Sequence, residues 1–126
     1  MLKDNSNLNL ISEWLQVIRL KECREAFLYL AGIGASSKKL SCYPAWKGYL
    51  RDFRFCNSEG QMLYAFVTNQ KWLLFYFSAA VLRNNSTLSA RIRKKFPDYL
   101  ERKSGEYKVK IRTVEDVKIL LELIQV

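Results

Sequence analysis

A chain of 126 residues that is 49% hydrophobic and 13% aromatic, with only 5 Gly and 2 Pro, is long enough for one domain with its own core and too apolar for a disordered segment. Its 21 Lys and Arg against 12 Asp and Glu give a net charge of +9, which bears on partners more than on fold. The absence of histidine removes Ser-His-Asp and Cys-His catalysis, His-ligated zinc and imidazole proton shuttles.

The segment from Met1 to Asn5 holds no apolar signal core, and the longest apolar run, Trp72 to Leu82, is broken by Ser78 and short of a membrane span. Leu8, Ile11, Trp14, Leu15 and Ile18 recur at three- and four-residue steps and predict a helix. A second stripe, Leu20, Cys23, Phe27 and Leu30, is out of phase with the first. A bend or two short helices is therefore expected at Arg19-Leu20. Gly32 and Gly34 read as a helix stop, so the helical region spans 8–31. Ser36 to Lys39 reads as a loop, and Pro44 as a turn.

The period then changes. Tyr49–Cys56, Met62–Thr68 and Lys71–Phe77 read as three strands of an antiparallel meander, with turns at Asn57-Ser58-Glu59-Gly60 and Asn69-Gln70. The third strand is apolar on both faces and is expected to be central and covered on both sides. Asn84-Asn85-Ser86 can cap a helix whose narrow apolar face is Leu88, Ile92 and Phe96, and Pro97 stops it. Tyr107, Val109 and Ile111 alternate with Lys108, Lys110 and Arg112 in a further strand. Thr113 with Asp116 forms a variant capping box for a closing helix over 113–125. The expected fold is a single α+β domain: a mostly antiparallel sheet with helices packed on it.

Charge is unevenly spread. Ten of the 21 basic residues lie between Arg83 and Arg112, and the segment 83–112 carries +7 of the total. Its helix offers Arg91, Arg93, Lys94 and Lys95, the following turn Arg102 and Lys103, and its strand Lys108, Lys110 and Arg112. Arginine forks and mobile lysine charges suit phosphate oxygens. Alternate residues of a strand stand roughly 6.5–7 Å apart, comparable to phosphates along an extended nucleic-acid strand. The expectation is one positive face shared by helix and strand, bordered by aromatics drawn from Trp46, Tyr49, Phe53, Tyr99 and Tyr107. The plainer reading of the same residues is edge protection on an outer strand and a solvated helix face.

Cys23, Cys42 and Cys56 follow no metal spacing and no CxxC, and their odd number argues against a secreted disulfide framework. They read as small buried hydrophobes in a reducing, cytoplasmic compartment. No cofactor or metal is expected. GxG at Gly32 and Gly34 is too short for a nucleotide cradle.

Pro97-Asp98 followed by Glu106-Tyr107-Lys108 resembles the signature of the PD-(D/E)XK nuclease superfamily. That resemblance implies Asp98 and Glu106 as ligands of a divalent cation and Lys108 as the catalytic lysine. On the residues alone, Asp98 is a turn residue and Glu106-Lys108 a solvated pair. Parts of 45–124 also resemble a small domain of unknown function that accompanies nuclease- or restriction-type modules. The similarity lies in Tyr49–Phe55, Tyr64-Ala-Phe-Val67, Trp72–Phe77, and Gly105 with Lys110–Val117. It implies a meander, a strand and a closing helix in a nucleic-acid-related setting.

Three functions are carried forward. The first is a non-enzymatic nucleic-acid-binding module, with DNA or RNA as partner. The second is a protein-interaction partner of inhibitor, accessory or immunity type, docking on an acidic surface through Tyr43-Pro44-Ala45-Trp46 and the first helix. The third is the metal-dependent nuclease. A membrane partner is not expected, because the basic helix lacks a broad apolar face.

Overall fold

The computed structural model describes residues 8–47, 50–83 and 85–124, with side chains described outside 8–11 and 43–51. Helices α1 (Leu8–Val17) and α2 (Lys21–Ser36) come first. A four-stranded meander follows: β1 (Ser41–Lys47), β2 (Leu50–Cys56), β3 (Met62–Thr68) and β4 (Leu73–Phe77). Then come a single turn α3 (Ala79–Leu82), helix α4 (Ser86–Lys95), the short strand β5 (Leu100–Glu101), β6 (Tyr107–Ile111) and α5 (Val114–Leu123). The chain forms one six-stranded sheet in the order β1-β2-β3-β4-β6-β5, antiparallel throughout. This is the expected α+β fold.

The helices take their places for local reasons. The phase break at Arg19-Leu20 separates α1 from α2, and Arg19 N–H donates to the Gln70 carbonyl, which ties the bend to the β3–β4 turn. Asn85 caps α4, its Oδ1 accepting from Leu88 N–H at 3.1 Å. Thr113 caps α5, its Oγ1 accepting from Asp116 N–H at 3.2 Å. Asp116 Oδ2 in turn accepts from Arg112 N–H at 2.8 Å. The box therefore closes one residue earlier than the usual reciprocal pair, on the last residue before the cap.

One core joins every helix to one face of the sheet. Phe53 and Phe55 of β2, Tyr64 and Phe66 of β3, Leu73, Phe75 and Phe77 of β4, and Tyr107, Val109 and Ile111 of β6 are all buried there. Phe53 stacks on Phe66 at 5.2 Å, and Phe75 meets Phe77 edge-on at 5.2 Å. Each fully buried ring contributes about 1.5–3 kcal/mol. Trp14, Ile18, Cys23, Phe27, Leu30, Leu88, Ile92, Val117 and Leu120 close the helical side. Trp14 Nε1 is buried without an acceptor among the described residues, a cost that the packing of its ring must offset.

Four expectations are corrected. Pro44 lies within an edge strand, Ser41–Lys47, and not at a turn; it is tolerated because an edge strand can spare a ladder donor. The helix runs through both glycines to Ser36. Gly34 is there for close approach: a Cβ at this position would stand 2.5 Å from Phe55 Cε1 and 3.1 Å from Cys42 Sγ. Leu20 is 44% exposed and takes no part in the second stripe's buried face. Finally, β4 is central but covered on one side only. Leu73, Phe75 and Phe77 are buried, whereas Leu74 and Tyr76 are half-exposed on the other face, where no described helix packs.

Burial raises the thiol pKa of Cys23 and of Cys42 to about 11, so neither offers thiolate near neutrality. A thiol reagent at about pH 8 is expected to leave both unmodified in the folded protein and to label them on denaturation. Rapid labelling of either without denaturant would contradict this packing.

Candidate nucleic-acid interface

The alternation of β6 decides where its cations stand. Because Tyr107, Val109 and Ile111 point into the core, Lys108 and Lys110 project from the opposite, open face of the sheet. Helix α4 belongs to the helical layer: Leu88 and Ile92 enter the same core as Tyr107. Arg93 Nη1 donates to the Tyr107 hydroxyl at 2.8 Å, and Arg91 Nη2 donates to the Glu122 carbonyl of α5 at 3.2 Å. Arg91, Arg93, Lys94 and Lys95 are exposed, but on the other side of the sheet from Lys108 and Lys110. The expected single positive face shared by helix and strand is not formed.

The open face has a composition of its own. Cross-strand register sets Arg54 of β2 beside Ala65 of β3, Ala65 beside Tyr76 of β4, Tyr76 beside Lys108 of β6, and Lys108 beside Leu100 of β5. The next row runs Val67, Leu74, Lys110. Trp72, half-buried just before β4, continues the parity of Leu74 and Tyr76. Lys110 Nζ stands 4.6 Å above the Trp72 ring, and Lys108 Nζ lies 6.0 Å from the Tyr76 ring centre. The ring faces hold the ammonium groups by cation–π attraction. Among the described residues neither lysine has a carboxylate partner.

The arginines of this side are paired instead. Arg54 Nε lies 3.0 Å from Asp52 Oδ1, Arg102 Nη1 3.3 Å from Glu106 Oε1, and Arg112 Nη1 3.6 Å from Asp98 Oδ2. Lys103 is exposed in the β5–β6 turn. The phenol of Tyr76 is held above its ordinary pKa, first by burial and then by Glu106 and Asp52, while Arg102 opposes them. Asp52, Ala65, Val67, Tyr76, Arg102 and Glu106 line a hollow of about 160 Å³.

No protein-family model, curated protein or solved structure matches the chain. The site must therefore be read from its own chemistry.

Of the expected stacking aromatics, Phe53 is fully buried, and Tyr107 is buried with Tyr99 leaning on it at 5.2 Å. The side chains of Trp46 and of Tyr43-Pro44-Ala45, and all of Tyr49, lie outside the described residues. On the open sheet face the half-exposed aromatics are Trp72 and Tyr76, which the doubly apolar reading of β4 concealed. A period-two parse of Trp72-Leu73-Leu74-Phe75-Tyr76-Phe77, with Leu73, Phe75 and Phe77 inward, was the available signal. For the PD…ExK spelling, Asp98 and Glu106 are each engaged by a different arginine. No group of three possible metal donors occurs among the described residues. No helix among those residues is long and apolar enough to cross a membrane.

Proposed function

We propose that the protein is a non-enzymatic nucleic-acid-binding module whose contact surface is the open sheet face, engaging single strands. The supporting observation is the seating of Lys110 on Trp72 and Lys108 on Tyr76 across adjacent strands. Aromatic faces give bases a sequence-tolerant stacking platform, and ammonium groups beside them, with no carboxylate partner among the described residues, take the phosphates. A duplex hides its base faces from such a platform. Lys103 extends the positive charge into the β5–β6 turn.

The test is fluorescence anisotropy with a short labelled oligothymidylate. With roughly three to five phosphates neutralised, log K is expected to fall against log salt with a slope of about −2 to −3.5. A flat salt response, or no complex at low salt, would remove the reading. A protein partner is the second reading, because Leu28 and Tyr29 of α2 are 53% and 39% exposed. It predicts capture of a protein whose affinity is nearly independent of salt.

A further inference from the structure

The hollow beside Tyr76 has a composition that phosphate binding does not need. Its floor is Ala65, the one small side chain in the row between Arg54 and Tyr76, with Val67 next to it on β3. Its walls carry two carboxylates, Asp52 and Glu106, each 19% exposed at the side chain. One oxygen of each is already taken, Asp52 Oδ1 by Arg54 and Glu106 Oε1 by Arg102. The second oxygen of each accepts no hydrogen bond from the described residues. Acids this close to a nucleic-acid surface repel phosphates. They are suited to a ligand group that offers N–H donors and no charge.

At about 160 Å³ the hollow is well below the roughly 300–1,000 Å³ of drug-sized ligand sites and suits one planar heterocycle. We infer that this hollow is a base-reading pocket that takes a guanine, its Watson–Crick edge donating to the carboxylates of Asp52 or Glu106 while its ring packs against Tyr76. Guanine presents N1–H and the N2 amino group side by side, the arrangement that matches one carboxylate, whose arginine-engaged oxygen keeps a second lone pair beside the other oxygen. Adenine and cytosine offer an amino group next to an acceptor, which a carboxylate repels. Thymine offers one N–H between two carbonyls. Arg54 and Arg102 hold the carboxylates in place, the role a supporting shell plays for any specificity residue. The inference rests on the sheet face being the nucleic-acid surface, and it adds a preference that this surface alone does not imply.

The experiment compares oligothymidylates carrying one central guanine, hypoxanthine or adenine with the all-thymine strand, on the full chain. A good bidentate contact discriminates by about 1–3 kcal/mol, so the guanine strand is expected to bind roughly tenfold tighter than the adenine and all-thymine strands, with hypoxanthine, which lacks the N2 amino group, in between. Asp52→Asn and Glu106→Gln are expected to abolish this difference while leaving the all-thymine affinity unchanged or improved. Ala65→Leu fills the hollow and is expected to do the same. Competition by free guanosine monophosphate at the affinity of the guanine strand would assign the pocket to a free nucleotide; weak competition assigns it to a base within a strand. Equal affinity for all four strands overturns the pocket and leaves the sheet-face reading intact, as does a guanine preference that survives both carboxylate substitutions. Failure of every strand to bind overturns both.

Discussion

Gly34→Ala is expected to destabilise the protein by about 2 kcal/mol, whereas Gly32→Ala, two residues earlier on the same helix, is expected to stabilise it by about 0.5–1 kcal/mol. In a helix interior alanine is the better residue by about 1 kcal/mol, so propensity favours both changes. Surroundings decide the sign. Gly32 is exposed, and a Cβ there meets nothing within 4 Å. At Gly34 the new methyl would fall 2.5 Å from Phe55 Cε1. Phe55 cannot swing away, because Phe53, Phe66 and Phe75 surround it with ring centres at 5.6, 6.1 and 6.4 Å. Helix α2 must lift from the sheet or the rings must repack, which typically costs about 1–3 kcal/mol. In thermal melts Gly34→Ala should lower Tm by roughly 6–10 °C and Gly32→Ala should raise it by roughly 2–5 °C. If both variants melt higher than the parent, α2 does not approach the sheet this closely.

The double substitution Lys108→Glu/Lys110→Glu is expected to weaken oligothymidylate binding by roughly 30- to 150-fold at low salt, equivalent to about 2–3 kcal/mol for two charge-assisted contacts. It should also flatten the salt slope by about 1.4, since each phosphate no longer neutralised takes away about 0.7. Stability should change little by comparison. The cation–π pairs that the substitutions remove, with Trp72 and Tyr76, are each worth about 0.5–1 kcal/mol at an exposed site. The loss of binding is therefore separable from unfolding in the same melts.

The elements whose hydrophobic period is unbroken were legible in the sequence. Met62–Thr68 is a strand with the expected bounds, and the alternation of Tyr107 to Ile111 with Lys108 and Lys110 is the observed β6. The break at Arg19-Leu20 does separate two helices. What escaped is governed by tertiary position. Pro44 signals a turn locally, and only the place of Ser41–Lys47 at the sheet edge makes a strand acceptable. Gly34 looks like a helix stop until Phe55 is brought against it. The site suffered in the same way. A run of cations along the chain carries no information about which layer each element joins. The sheet therefore separates Arg91, Arg93, Lys94 and Lys95 from Lys108 and Lys110, although the two groups are close in sequence. Leu74 and Tyr76 looked buried because a run of apolar and aromatic residues does not itself say whether the second face of a strand is covered.

The central claim is that the open sheet face, and not helix α4, meets nucleic acid. Its most direct test is a side-by-side titration of one labelled single strand, at one low salt concentration, with Lys108→Glu/Lys110→Glu and with Lys94→Glu/Lys95→Glu. Both variants change the net charge equally, so long-range attraction falls equally and the difference between them reports contact. The sheet-face pair is predicted to lose most of the binding and the helix pair to stay within roughly threefold of the parent, the effect expected from long-range charge alone. Loss in the helix pair with binding retained in the sheet-face pair would contradict the claim and move the contact surface to α4.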